Sequence, residues 1–573
     1  MRGSGVALAL VALLALAPDA PARGLSYTWT GGGDDANWSN PANWGGTAPA
    51  NGESSVSLTF PELSGPYESH NDRTGLVVTF LQVTTQVGSG TYAFSGNAIS
   101  LAGPVTLGSP GSGTPNLVWQ IPLTLLGNVT IGASGRQTQL AGDIDLGART
   151  LTLNTGGDIV VSGLVSGTGN LVKNNTSALT LSHANSYSGT TTSNIGALYL
   201  SDAAGLGTAD GGTTIAGGFL GFAPGSAFTL GEPLTFTGGG ITAYGTPTIA
   251  GPLTLNAAVN VNAFEPATVL TVSSPAAGSG GITKKGPGRL VLSGANTYAG
   301  GTTIAAGTAQ LDGSLAATAD LRVQSGGTLN GRGATAGAIV VDGGGTLAPG
   351  ASPGRLTCGG LTLAAGATLA AEIAGAAAGS EYDQLAVNGP VRLDGTLAVA
   401  FSATPVNGQL FTLIDQSGAA AVAGTFAGRP EGATFQVDGT LFGITYAGGS
   451  GNDVVLITAP GSATATPTPT ATTSVAATPT ATPTSPPTFT PTIAATATPT
   501  ATPTFTATPT VAACARDCNG SDAVEINELV LGVTIALGTT DVSACPAFDT
   551  DGNGSVAIQE LIAAVNNALG SCR

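Results

Sequence analysis

Charge is scarce in this chain. Asp, Glu, Lys and Arg make up 9% of 573 residues, and there are only two histidines, His70 and His183, far apart in sequence. The commonest general base and metal ligand is therefore almost missing. No nucleophile elbow, zinc motif or phosphate loop is found. The cluster Glu68, His70, Asp72 and Arg73 is the densest polar group of the long middle region, and loop solvation accounts for it. No catalytic residue is assigned. Bases are the scarcer charge: 16 Lys plus Arg against 33 acids give a net charge of −17. That balance excludes nucleic acid as a partner, because phosphates would be repelled. Long apolar runs are also missing. Val6 to Ala17 is too short to span a membrane, and no later run is long enough. With Arg2 before it and Ala20-Pro21-Ala22 after it, residues 1–22 read as a secretory signal peptide, and a secreted, extracellular protein is expected.

Glycine is abundant, with 88 residues. In residues 23–457, short alternating runs such as Arg289-Leu290-Val291-Leu292-Ser293 are punctuated by glycine pairs. This predicts many short strands joined by tight turns, hence a mainly β fold. Helical period is nearly absent. The Ala- and Gly-rich stretch Ala370 to Gly379 is the exception, and it also reads as a small-residue turn region.

An internal repeat sets the architecture. Leu171 to Leu200 aligns on Ile282 to Leu311, pairing Lys173 with Lys284, Leu179 with Leu290, Leu181 with Leu292 and Asn185 with Asn296. Tyr187 pairs with Tyr298, Gly189 with Gly300 and Gly196 with Gly307. The second copy, from Gly286-Pro287-Gly288-Arg289-Leu290-Val291-Leu292-Ser293 to Thr302-Thr303-Ile304, closely resembles the autotransporter-associated β-strand repeat of bacterial surface proteins. The first copy is degenerate, with Asn174, Asn175 and Thr176 in place of glycines. The resemblance implies a β-solenoid of the right-handed parallel β-helix type. One such unit cannot bury its apolar strand face alone, whereas stacked coils bury theirs continuously. With on the order of 20 residues per coil and about 4.8 Å per coil, a rod of roughly 100 Å is expected. Leu179, Leu181, Leu290, Leu292 and Leu311 should point inward. Asn185 and Asn296 could form internal ladders or hold turns. Trp29, Trp38 and Trp44 cluster at the start of this region, where an exposed solenoid end needs a cap. They read as cap packing, and alternatively as a platform on which sugar rings stack. Asp34 and Asp35, beside three glycines, read as turn residues.

Residues 458–512 repeat Ala-Thr-Pro-Thr and contain no charge. Proline at this density gives an extended linker, either bare or O-glycosylated on threonine, with a reach of roughly 150 Å.

Residues 513–573 form a different module. Asp549 to Glu560 fills every key position of a calcium-binding EF-hand loop. Asp549, Asp551 and Asn553 supply side-chain oxygens, and Ser555 supplies its carbonyl. Glu560 closes the site, and Gly554 takes the sharp turn. Asp517 to Glu528 repeats the pattern with Asp517, Asn519, Ser521, the Ala523 carbonyl and Glu528. Asp522 stands where Gly554 stands in the second loop, so the first site should be weaker. Two Ca²⁺ ions are expected. A helix follows each loop, with Ile526, Leu529, Val530, Val533 and Leu537 as the apolar positions of the first and Ile558, Leu561, Ile562, Val565 and Leu569 of the second. No helix precedes either loop, because of the Thr/Pro tract before one and Pro546 before the other. Two loop-helix halves of this kind resemble a dockerin, which implies a cohesin-like or other surface protein as partner. The module has six more acids than bases, so folding should depend on calcium. Cys514, Cys518, Cys545 and Cys572 all fall here, and four cysteines allow three pairings. Cys358 lies alone in the large domain and should be buried.

The resemblance to autotransporters stops at the repeat, since the residues after the linker read as helices rather than a membrane barrel. The sequence thus points to a secreted or cell-surface, non-catalytic adhesive solenoid with a calcium-dependent docking module. A glycan or cell-surface ligand on the solenoid fits this. The runner-up is a dockerin-bearing β-helix enzyme acting on polysaccharide.

Overall fold

The computed structural model describes residues 24–65, 67–85, 90–108, 116–133, 137–174, 176–404 and 406–459, then 518, 526–536, 540–549, 554–556 and 560–561. Residues 1–22, read above as a signal peptide, nearly all of the expected linker 458–512, Cys514 and Cys572 lie outside the described residues. The chain divides into two compact units, residues 1–468 and 469–573.

The first unit is a β-solenoid. Its strands are short, and most alternate buried with exposed positions. In Arg289–Leu292, Leu290 and Leu292 are buried while Arg289 is exposed. Leu179, Leu181 and Leu311 are likewise inward. Each strand pairs in parallel with its counterpart one coil on: Leu171 with Thr191, Leu179 with Leu198, Leu290 with Ala309. Inward positions thus stack on inward positions, and the apolar interior runs as one column from Tyr27 to Leu456. Three faces make up a coil. One carries Asn170–Asn174 and Thr191–Ser193, the next Leu179–Leu181 and Ala197–Leu200, and the third Val269–Val272 and Arg289–Leu292.

The repeat explains how the coils lock together. Asn185 and Asn296 are buried. The Asn185 carboxamide accepts from the Val165 amide at 2.8 Å and donates to the Gly205 carbonyl at 2.7 Å, so it ties the coil before to the coil after. Asn296 does the same, accepting from the Ala276 amide at 3.0 Å and donating to the Ser314 carbonyl at 3.2 Å. Tyr187 and Tyr298 each place a buried hydroxyl 2.6 Å from the hydroxyl of Thr191 or Thr302. The two copies differ in placement by one face. Parallel pairing carries Leu171 through Thr191, Thr213, Leu234 and Leu253 to Ala276, five coils on, and Ile282 then begins the following face.

Glycine serves the corners. A Cβ on Gly189 would stand 2.0 Å from the Gly169 carbonyl oxygen, and one on Gly211 2.1 Å from that of Gly189. Successive coils touch here backbone to backbone, with no room for a side chain.

Both ends of the stack are closed. At the start, Trp29, Trp38 and Trp44 pack edge to face with centroids 5.1–5.9 Å apart, over Phe60. Trp38 donates its indole N–H to Ser69 and Trp44 donates to the Trp38 carbonyl. All three rings are buried, so the sugar-platform alternative is overturned: no face is open to a pyranose. At the other end the pairing turns antiparallel, through Leu410–Gln416, Asp453–Thr458, Thr440–Gly448 and Thr434–Val437. The Ala370 to Gly379 stretch contains no helix. Thr368–Ile373 is a strand, and a small-residue turn follows it.

In the second unit, Ile526–Ala536 is an α-helix, as its spacing predicts. Short 3-10 turns, Val542–Ala544 and Pro546–Phe548, stand where a helix was excluded. Glu560 and Leu561 are helical, where the second helix is expected. A small core joins Ile535, Cys545, Phe548 and Val556. The helix sits close on Phe548, since a Cβ on Gly532 would lie 2.3 Å from that ring. The buried stripe differs from expectation. Val530 and Val533 are 57% and 44% exposed, and the helix instead turns Leu531 and Ile535 toward the core.

Candidate functional site

The second of the expected calcium loops, Asp549 to Glu560, is described in part. Asp549, expected at the first ligand position, accepts a 2.8 Å hydrogen bond from the Gly554 amide through Oδ2. Gly554 has φ +83°, the left-handed conformation that glycine adopts without strain. Together these fold the chain back over its own start. The Glu560 side chain is buried, and Val556 is held in the small core. Asp551 and Asn553 lie outside the described residues, as do Asp517, Asn519, Ser521 and Ala523. Only the backbone of Glu528 is described. No grouping of three or more metal-ligating side chains is found among the described residues. Cys518 and Cys545 form a disulfide. That selects one of the pairings that spacing had left open, and it ties the second position of the first loop to the turn leading into the second.

On the solenoid, the histidine cluster does not converge on a reaction. His70 is exposed and its Nδ1 lies 3.0 Å from the Ser95 hydroxyl, its cross-strand neighbour. Among the described residues no carboxylate accepts from the ring. Asp72 is committed to the Ser39 amide. His183 is exposed and contacts the Ala184 carbonyl, as a coil-surface residue would. Asp35 accepts from the Asn37 amide and from the carboxamides of Asn37, Asn40 and Asn43. These bonds, led by the Asn37 amide, hold its carboxyl below the usual range and mark it as the organiser of a turn. Cys358 is a buried free thiol, pushed up to about 12 by burial and so unreactive.

The charged residues that sequence reasoning missed are inside. Lys173 and Lys284 occupy inward positions, on the parity of Leu171 and Ile282 two residues earlier. The Lys284 ammonium donates to the carbonyls of Lys285, Gly286 and Ala306 at 2.9, 2.8 and 3.1 Å. Lys173 donates to the Ile195 carbonyl at 2.7 Å. Burial lowers both to about 8. The signal was strand parity, which counts to an inward slot whatever residue fills it.

Glu232 is buried too, and accepts from the Thr213 hydroxyl at 3.0 Å. Burial raises its carboxyl to about 7; the Thr213 bond opposes this and Asp210 adds to it. The folded state therefore holds this proton more tightly than the unfolded chain. Its stabilising effect is complete below the unfolded value of about 4.5 and is lost as pH rises through about 7. A Glu232→Gln variant should match the parent in Tm at pH 4 and melt higher than it at pH 8. An equal offset at both pH values would contradict the assignment.

Comparison with known proteins matches the repeat. The passenger-associated-transport-repeat family matches residues 171–192 and 282–310. An adhesin, the BmaC autotransporter of Brucella suis biovar 1 (strain 1330), is 32% identical over 285 residues, 45% of this chain. An extracellular serine protease of Serratia marcescens is 42% identical over 84 residues, 15% of this chain. The match spans 8% of the length of each of these relatives. No helix among the described residues is long and apolar enough to cross a membrane.

Proposed function

We propose that this is an exported bacterial surface protein whose solenoid is a non-catalytic adhesive rod and whose C-terminal module docks it through calcium. The observation that carries the reading is the continuous stack of parallel coils, closed at both ends, with Asn185 and Asn296 bonded from coil to coil inside it. The adhesin relative supports the adhesive role, and the repeat family supports a surface location. For the module, the support is the Asp549–Gly554 closure, the left-handed Gly554 and the buried Glu560 behind it. Carboxylates and carbonyls are the donors that a hard divalent cation takes. Asp549, Asp551, Asn553, the Ser555 carbonyl and Glu560 would hold one Ca²⁺, and Asp517, Asn519, Ser521, the Ala523 carbonyl and Glu528 a weaker second. The ion would neutralise carboxylates that otherwise repel one another, and so order the loops. A cohesin-like receptor is the docking partner that this arrangement suits.

Calorimetric titration of the full chain with Ca²⁺ should give two sites. Glu560→Ala should weaken the tighter one by at least about tenfold, or about 1.4 kcal/mol. One site or none would sink the module assignment. The adhesive reading is tested by attachment of the full chain to host-cell or polysaccharide surfaces. Turnover of a polysaccharide, lost on changing one carboxylate, would replace that reading with an enzymatic one.

A further inference from the structure

A pocket of about 300 Å³ lies on the outer surface of the third face, against the loop Gly350–Gly354. Its floor is a rung of outward positions. Gln310 pairs with Asn330, Asn330 with Ala348, and Ala370 follows on the next strand beside the Leu347–Leu369 pair. Two alanine methyls therefore make a small flat apolar patch between a carboxamide side and the loop. Arg289 stands at one edge and donates to Gln310 at 3.0 Å. Glu372 stands at the other, accepting from the Ser352 hydroxyl.

The pocket is built in advance. Asp383 is buried, and its carboxylate accepts from the Gly354 amide at 2.8 Å and the Glu372 amide at 2.9 Å. One side chain thus fixes the loop wall to the floor strand. Gly350, at φ +94°, lets the wall pass: a Cβ there would strike the Gly354 nitrogen and the Asp383 carboxylate. One acceptor is left over. Among the described residues the Asn330 carboxamide oxygen has no hydrogen-bond partner, and a buried acceptor without a donor is costly.

We propose that this pocket binds a neutral saccharide unit. The volume lies at the lower end of small-molecule sites, which run from about 300 to 1,000 Å³. The methyl floor suits the C–H face of a sugar ring. The rim offers both donors and acceptors, as hydroxyls require, since each hydroxyl donates and accepts. Arg289 and Glu372 bring opposite charges, so neither an anion nor a cation is favoured. A peptide strand is not the occupant, because strand addition needs a free sheet edge and here the backbone is paired on both sides. The inference rests on the adhesive reading of the solenoid, to which it gives a ligand class.

The full chain is titrated calorimetrically with cellotriose, mannotriose, galactotriose and chitotriose, and with trigalacturonate as the acidic control. At least one neutral sugar should bind, and Ala370→Leu, which fills the floor and removes no polar group, should lower its affinity by at least about tenfold without moving Tm. Gln310→Ala, at the carboxamide end of the floor, gives a second reading should the leucine disturb folding, and should weaken the same sugar. No neutral binding at about 10 mM, tightest binding of the acidic sugar, or affinity unchanged in both variants overturns the proposal. Attachment of the same variants to surfaces is measured in parallel. A parent chain that attaches yet binds no sugar defeats the pocket alone, and a parent that does neither defeats the adhesive reading as well.

Discussion

Gly189→Ala should be among the most damaging single substitutions in the solenoid. The added carbon would stand 2.0 Å from the Gly169 carbonyl oxygen, and the obstacle is backbone, which cannot rotate aside. Gly211 lies directly over Gly189 in the same column, so a shift in one coil is passed to the next. Overpacking in a core costs about 1–3 kcal/mol where side chains can move, and a clash against fixed backbone should reach about 3 kcal/mol or more. In a stacked array the loss falls on the interfaces with both neighbours. Calorimetry of the full chain should show a lowered or split transition. Gly225→Ala is the control, because a Cβ there meets nothing within 4 Å, although its positive φ still carries a small conformational cost. Equal effects from the two would show that the column is not in direct contact.

Lys284→Met should be comparably severe, for a different reason. The ammonium satisfies three carbonyls inside the stack, between the Val261 and Ile304 rungs. Methionine fills the volume and leaves the acceptors dry, at about 1–3 kcal/mol each. Relief of a buried charge offsets part of this. The net loss should lower Tm by about 5 °C or more, taking 1 kcal/mol as a few degrees for a large domain. The pH dependence carries a signature. With its folded value lowered to about 8 from 10.5, the lysine penalises the fold fully below about 8, and the penalty fades as pH rises to 10.5. The Tm gap between parent and variant should therefore widen between pH 8 and pH 10.5. A constant gap would mean that the ammonium is not buried.

Much of the solenoid was legible because its rules are local. Alternation placed Leu179, Leu290 and Leu311 inside, and the repeat flagged Asn185, Tyr187 and Gly189 by recurrence alone. What these residues do was not legible, because each acts across coils about 20 residues apart in sequence. The asparagine bridge needs both neighbouring coils in place before its partners exist. The inward lysines were not legible because their acceptors, the Ile195 and Ala306 carbonyls, belong to the next coil. The pocket was invisible for a related reason: Gln310, Asn330 and Ala370 belong to separate coils, and Asp383 reaches it from beyond a turn. In the second unit, helical spacing found the helix but not its buried side. Val530 and Val533 fit an apolar stripe, yet the ring of Phe548 selects the adjacent one, where Gly532 permits close approach.

The one-face displacement between the repeat copies has a consequence for how such a protein grows by gene duplication. A unit of whole coils, copied in tandem, would lengthen the rod and line up its surface features in a single row. The unit here is five coils and one face, so each further copy would also turn its features by a third of a revolution. Three copies would present the same motif to every side, as steps wind around a spiral stair.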